Sequence, residues 1–132
     1  MERLRERITI AEKALKTFEE IMQIASPDLV TRDAGIQRFE YTFEAVWKTA
    51  QRFLLVKEGL TAGSPKSTIR ASLQVGLLNE TECDLALRMA DDRNLTVHTY
   101  DESIAETLYQ HLQDYYPLLQ NWLEKIKHKT AQ

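Results

Sequence analysis

The stretch Arg93-Asn94-Leu95-Thr96-Val97-His98-Thr99-Tyr100 brings a permanent cation, an amide, an imidazole and a phenol close together in the chain. An arginine presents a planar fork of donors suited to phosphate, and a histidine exchanges a proton near neutral pH without any perturbation. Both side chains are expected to reach a common cleft, with Tyr100 beside it, where they would suit cleavage of RNA without a metal. His98 would act as general base on a ribose 2′-hydroxyl, Arg93 would stabilise charge developing on the phosphate, and Asn94 would orient either group by hydrogen bonding. The plainer reading of the same residues is a histidine that caps or decorates a helix end, beside an arginine paired with Asp91, Asp92 or Asp101 in a solvated network. Spacing alone leaves both readings open. Asp91 and Asp92 do not make a metal site, because adjacent carboxylates on a helix point apart and no other ligand set is spaced to help. No metal and no cofactor is expected.

Other residues invite a role and mostly fit a structural one. Glu40 and Glu44 lie four apart and could face a cleft as acid-base groups, or Glu40 could orient Arg93 or Lys48. Trp47 and Trp122 fall in phase with apolar stripes and read as packing rather than base stacking. Tyr109, Tyr115 and Tyr116 read as amphipathic surface on the last helix, suited to an interface or a core edge. His111 and His128 read as ordinary polar-face residues. Cys83, near the start of a helix, could have a modestly lowered pKa from the helix terminus, yet with no adjacent histidine it reads as packing.

Helices must position all of these. Leu4, Ile8, Ala11, Leu15, Phe18 and Met22 recur at steps of four and three, which predicts a first helix over about 2–25, ended by Ser26-Pro27-Asp28. Ile36, Phe39, Phe43, Trp47, Ala50 and Leu54 predict a second over about 32–60, with Gly59 and Gly63 supplying its stop. Ser64-Pro65 reads as a cap followed by proline in the first turn and opens a short third helix, about 65–75, ending at Gly76. Asn79 with Glu82 forms a capping-box pattern for a fourth, about 80–93. Thr99 or Asp101 caps a last long helix, about 102–128, in which Pro117 should cause a bend or a local break. Short connections predict antiparallel neighbours. The expected fold is all-α, an antiparallel up-and-down bundle of four to five helices, with residues 1–132 forming one domain.

Bulk properties narrow the function classes. The 132 residues include 4 glycines and 3 prolines, a scarcity of breakers that agrees with long helices. Lys and Arg number 17 against 20 Asp and Glu, a formal charge of −3, so no broad field holds a polyanion and any nucleic-acid contact would be local. DNA is not an expected partner. One cysteine cannot make an internal disulfide, which fits a reducing cytoplasm. No apolar stretch reaches the roughly 20 residues that span a bilayer, and the N-terminus lacks a signal-peptide core. A soluble, unprocessed cytoplasmic protein is expected.

The segment Arg93 to His98 resembles the R-x-x-x-x-H motif of the HEPN superfamily, including the polar residue after the arginine, and Tyr100 extends it to R-x-x-x-x-H-x-Y. Arg38-Phe39-Glu40-Tyr41-Thr42-Phe43-Glu44-Ala45-Val46-Trp47-Lys48 resembles the second-helix signature of HEPN proteins known as nucleotidyltransferase substrate-binding subunits. Ser64-Pro65-Lys66 with Ile69-Arg70 resembles their third-helix start, and Asp92 to Glu102 their most distinctive stretch. The resemblance covers most of the chain in the right order. It implies a homodimeric helical bundle that associates with a minimal nucleotidyltransferase, in a toxin-antitoxin pair. On that view Arg93 and His98 form the active site of a metal-independent RNase, silenced by transfer of AMP to Tyr100. The resemblance equally accommodates a non-catalytic subunit that binds a nucleotide or other substrate for the nucleotidyltransferase.

Overall fold

Capping residues and apolar stripes set where each helix begins and which side it buries. The computed structural model describes residues 1–132. Helix α1 (Glu2–Met22) buries Leu4, Ala11, Phe18 and Ile21, and ends three residues earlier than predicted, in a turn where the Ile24 N–H donates to the Ile21 carbonyl. Helix α2 (Leu29–Glu58) starts earlier than predicted, because the Asp28 carboxylate accepts from the Thr31 N–H at 2.8 Å and serves as its cap. Leu29 and Val30 are exposed and out of phase with the core stripe, so apolar periodicity did not mark this first turn. Gly59, in the left-handed region at φ 67°, closes the other end.

Helix α3 (Pro65–Gln74) opens on Ser64, whose hydroxyl accepts from the Ser67 N–H, and stops before Gly76 at φ 82°. Helix α4 (Glu80–Leu95) opens on the expected box: the Asn79 side chain accepts from the Glu82 N–H, and Glu82 accepts from the Asn79 N–H. It runs two residues beyond its predicted end and passes into a 3-10 turn, Thr96–His98. Helix α5 (Glu102–Thr130) is capped by Asp101, which accepts from Ser103 N–H at 3.0 Å.

The break expected at Pro117 does not occur; α5 is continuous through it. Proline removes the bond to the carbonyl of Gln113, and both residues are exposed, so water can take that carbonyl. Tyr115, Leu118, Leu119 and Trp122, all buried on the opposite side, hold the helix in register.

The result is an all-α helical bundle in which not every successive pair of helices reverses direction. Paired residues show the directions. Thr49 bonds the Arg7 carbonyl, Thr42 the Ala14 carbonyl and Arg38 the Thr17 carbonyl, so α1 and α2 are antiparallel. Tyr116 meets Glu19 and Lys127 meets Glu12, so α1 and α5 are antiparallel too. Helices α2 and α5 therefore point the same way, as Arg32 beside Glu102 and Phe39 beside Tyr115 require. Trp122 donating to Ser72 and Lys129 to the Val75 carbonyl align α3 with α5.

Helix α3 is thus parallel to α2, contrary to the rule that short connections reverse direction. After the left-handed turn at Gly59 the chain doubles back along α2, held by Gln51 Nε2 donating to the Ala62 carbonyl at 2.6 Å. It brings Ser64, Pro65 and Lys66 to the groove that Glu44 lines, so α3 starts there rather than beyond the end of α2.

Phe39 occupies the centre of the core, stacked on Tyr115 with ring centroids 5.5 Å apart and tilted against Phe18 and Phe43. Gly35 lets α2 approach its neighbours closely: a Cβ there would lie 2.8 Å from Ile21 Cγ2 and 3.0 Å from Tyr109 Cε1. Trp47 and Trp122 are both buried, as their phase predicts. No helix is long and apolar enough to cross a membrane.

Candidate active site at the α4–α5 junction

Ala86, Met89 and Ala90 are buried, and Arg93 follows at four and three residues beyond the last two. Its side chain therefore leaves α4 on the side that meets α2. There the guanidinium faces Glu40 and Glu44, one turn apart on α2: Nη2 is 4.0 Å from Glu40 Oε1 and Nε is 3.7 Å from Glu44 Oε1. Both separations exceed hydrogen-bond length. Charge orients the arginine, while Nε makes no hydrogen bond and the side chain stays 24% exposed. Nη1 donates to Thr96 Oγ1 at 3.3 Å, and the Thr96 hydroxyl lies 2.7 Å from Glu40 Oε2 and 2.8 Å from the Arg93 carbonyl. Thr96 is buried and ties the 3-10 turn to α2. Sequence reasoning passed over it, although its position three residues after Arg93 could have marked it.

Arg93 and Asn94 line an open groove of about 290 Å³ with Glu44, Ser64, Pro65 and Lys66. His98 and Tyr100 do not line it. They stand on the turn beyond, both open to solvent, with His98 Nδ1 3.2 Å from Tyr100 Oη and the rings edge to face. If the phenol donates to Nδ1, the other ring nitrogen carries the proton; if Nδ1 donates, Nε2 is free to accept one. The Tyr100 side chain is among the most open in the chain, the residue being 84% exposed. Of the two supporting residues suggested by sequence, Glu40 meets Arg93 and Thr96, and Lys48 meets Glu44 at 3.7 Å.

The nearby aspartates do not partner Arg93. Asp91 pairs with Lys66 at 2.6 Å, Asp101 caps α5, and Asp92 accepts from Tyr115 Oη at 2.5 Å and lies 2.7 Å from His111 Nδ1. His111 is therefore a partnered residue that clamps α4 to α5. The tyrosines are packing elements rather than free surface. Tyr115 is buried on Phe39, Tyr116 is half-buried against Phe18 and donates to Glu19, and Tyr109 is half-buried beside Gly35. The Cys83 thiol is pushed up by burial, with Asp84 adding to the shift, so the helix terminus does not activate it.

A second anchor escaped the sequence altogether. Arg32, only 5% exposed, contacts Asp33, Glu102 and Glu106 at 2.9, 2.6 and 3.3 Å. The hydrogen bond from Arg32 holds the Glu102 carboxyl below its usual range. The start of α5 is thereby fixed to the start of α2, which sets the position of the residues leading into it, Tyr100 and Asp101.

Burial, then the bond to Glu19, pushes the Tyr116 phenol up to about 12, and burial with Asp92 raises Tyr115 as well. A folded-state pKa above the unfolded value near 10 means the native chain holds protons that the unfolded chain releases. Stability is thus fully present below about pH 10 and falls as pH rises towards about 12. Urea midpoints measured across this window should decline, and Tyr116→Phe should flatten the decline; an unchanged slope would contradict the assignment.

An all-α bundle presents an arginine and a histidine five residues apart at one helix junction, the arrangement that the resemblance to HEPN proteins leads one to expect. Residues 6–128 match the family described as nucleotidyltransferase substrate binding protein like, and the chain belongs to that family. A curated relative from Haemophilus influenzae, named probable ribonuclease HepT, is 30% identical over 100 residues, covering 73% of this chain and 67% of the relative. Among solved structures, a protein from Thermus thermophilus is 52% identical with a TM-score of 0.85, covering 88% of this chain and 98% of that one. A Shewanella oneidensis HEPN toxin, tri-AMPylated and in complex with an MNT antitoxin, shares the fold at 18% identity and a TM-score of 0.72, over 95% of this chain and 96% of the other.

Proposed function

We propose that this protein is a metal-independent endoribonuclease of the HEPN toxin type, held inactive by a nucleotidyltransferase partner that transfers AMP to Tyr100. The observation that carries the reading is Arg93 itself. Two carboxylates aim it from beyond hydrogen-bond length, its partly exposed side chain lines an open groove, and an exposed histidine follows one short turn away. A phosphate entering the groove would meet the exposed part of that guanidinium. His98 would take the proton of the ribose 2′-hydroxyl as O2′ bonds to phosphorus, the bond to O5′ would break to leave a 2′,3′-cyclic phosphate, and the 5′-oxygen would leave with a proton from solvent. The kinship with a probable ribonuclease supports this chemistry. The test is incubation of purified protein with RNA in EDTA, beside His98→Ala and Arg93→Ala. Cleavage by the unaltered chain alone is expected. Equal background traces for all three would leave a non-catalytic subunit that binds a nucleotide for its partner.

The modification rests on the accessibility of Tyr100 and on the AMPylated state of the Shewanella neighbour. Tyr100 Oη would attack the α-phosphorus of ATP, pyrophosphate would leave, and the phenolic proton would pass to solvent. Co-incubation with the nucleotidyltransferase and ATP should add adenylyl mass on Tyr100 and abolish cleavage. Tyr100→Phe should prevent addition at that position. An intact mass that does not change for the unaltered chain would remove the proposal.

A further inference from the structure

The start of α1 and the last turns of α2 enclose a hollow of about 350 Å³ whose charged lining is wholly cationic: Arg3, Arg7, Lys48 and Arg52. In a chain with a formal charge of −3, such a concentration without a carboxylate stands apart from its surroundings. Arg3 and Arg7 are one turn apart on α1, as Lys48 and Arg52 are on α2, and like charges at this spacing repel. Arg3, Arg7 and Arg52 take part in none of the ion pairs of the fold, and the buried Nε of Arg52 has no hydrogen-bond partner. An anion in the hollow would relieve the repulsion. The hollow also adjoins the groove of Arg93. The returning segment lines the hollow with Leu60 and Ala62 and the groove with Ser64 and Pro65, while Glu44 lies between Lys48 and Arg93 at 3.7 Å from each.

We infer that this hollow binds the backbone phosphates of single-stranded RNA whose chain continues past Arg93. Leu55 and Leu60, both partly open to solvent, offer an apolar wall for a base beside those phosphates. The identity of the polyanion rests on the ribonuclease reading; the cationic hollow itself does not. A strand held here would receive, locally, the attraction that the net charge denies to the molecule as a whole.

The experiment is fluorescence anisotropy with a short labelled single-stranded RNA at several salt concentrations. His98→Ala is present in every protein so that the RNA stays whole. Arg7→Ser with Arg52→Ser should weaken binding tenfold or more and reduce the slope of log affinity against log salt by about 1.4, from roughly 0.7 per single-strand phosphate contact. Arg5→Ser removes the same charge from α1 outside the hollow and should leave binding unchanged. Melting curves check folding, and the exposed Arg3→Ser reports alone, with a slope change of about 0.7, if the pair is unstable. RNA affinity that is absent, or equal in all variants, overturns the inference. So does an intact RNA affinity with lost capture of the nucleotidyltransferase, which would assign the hollow to a protein contact. Cleavage by otherwise unaltered protein separates the two ideas: RNA held through these arginines but never cut sinks the ribonuclease reading alone.

Discussion

Alanine in place of His98 is expected to lower RNA cleavage in EDTA by about 10²–10⁴-fold, the usual contribution of a positioned general base. The fold should not notice the change. His98 is exposed, and its one side-chain hydrogen bond is to Tyr100, itself open to solvent, so truncation removes no buried contact and should fall within the small range of surface substitutions. Arg93→Ala should cost about 10²–10³-fold by removing donors to the developing charge, and it also leaves Glu40 and Glu44 facing one another without their shared cation. Arg93→Lys keeps a charge and loses the fork, so a rate close to that of the alanine variant would point to directed donation rather than charge alone. Because base and phosphate donor act in one transition state, the double variant should be little worse than either single one. Single-turnover rates at saturating RNA make the comparison. A loss below about threefold for His98→Ala would remove the residue from the chemistry, given the expected magnitude.

Local signals carried far in this chain, and distant ones did not. The cap at Ser64 with the proline after it, and the cap at Asn79 with Glu82 three residues on, announced α3 and α4 from neighbouring residues alone. The phase of Phe39, Phe43, Trp47 and Trp122 placed them in the core. Arg93 was identifiable as a candidate from its motif, and Glu40 as a residue that could orient it, but the joint placement of Glu44 and Thr96 around it was not. The carboxylates nearest in sequence are taken by Lys66, by His111 with Tyr115, and by the cap of α5. The ones that face it come from α2, which reaches it only once the bundle has formed. Arg32 was invisible for the same reason: its carboxylates at 102 and 106 meet it only in three dimensions. The parallel course of α3 was missed because loop length alone does not tell whether a short segment turns at once or first doubles back. The motif is divided where α4 passes into the 3-10 turn, leaving Arg93 and Asn94 on the groove and His98 with Tyr100 beyond it.

Phe39→Ala should lower the free energy of unfolding by about 3–5 kcal/mol, the cost of removing a fully enclosed aromatic ring. The ring has no exposed surface and touches three other rings from three helices: Phe18 of α1, Phe43 of α2 and Tyr115 of α5. The gap cannot close by a rotation of one neighbour, because Tyr115 is held by Asp92 and Tyr116 lies edge-on to Phe18 from the other side. Against the roughly 5–15 kcal/mol that holds a typical domain, such a loss brings the chain close to unfolding at moderate temperature. It also reaches the site, since Glu40 is the next residue on α2 and Glu44 follows one turn later. Loosening of α2 there should raise the exposure of Arg93 and slow RNA cleavage even where the protein remains folded. Phe39→Leu, which keeps most of the apolar volume, should recover most of both losses. Urea unfolding followed by circular dichroism, with cleavage measured well below the midpoint, tests the two effects together; a midpoint unmoved by Phe39→Ala would show that the packing around this ring is not what joins the three helices.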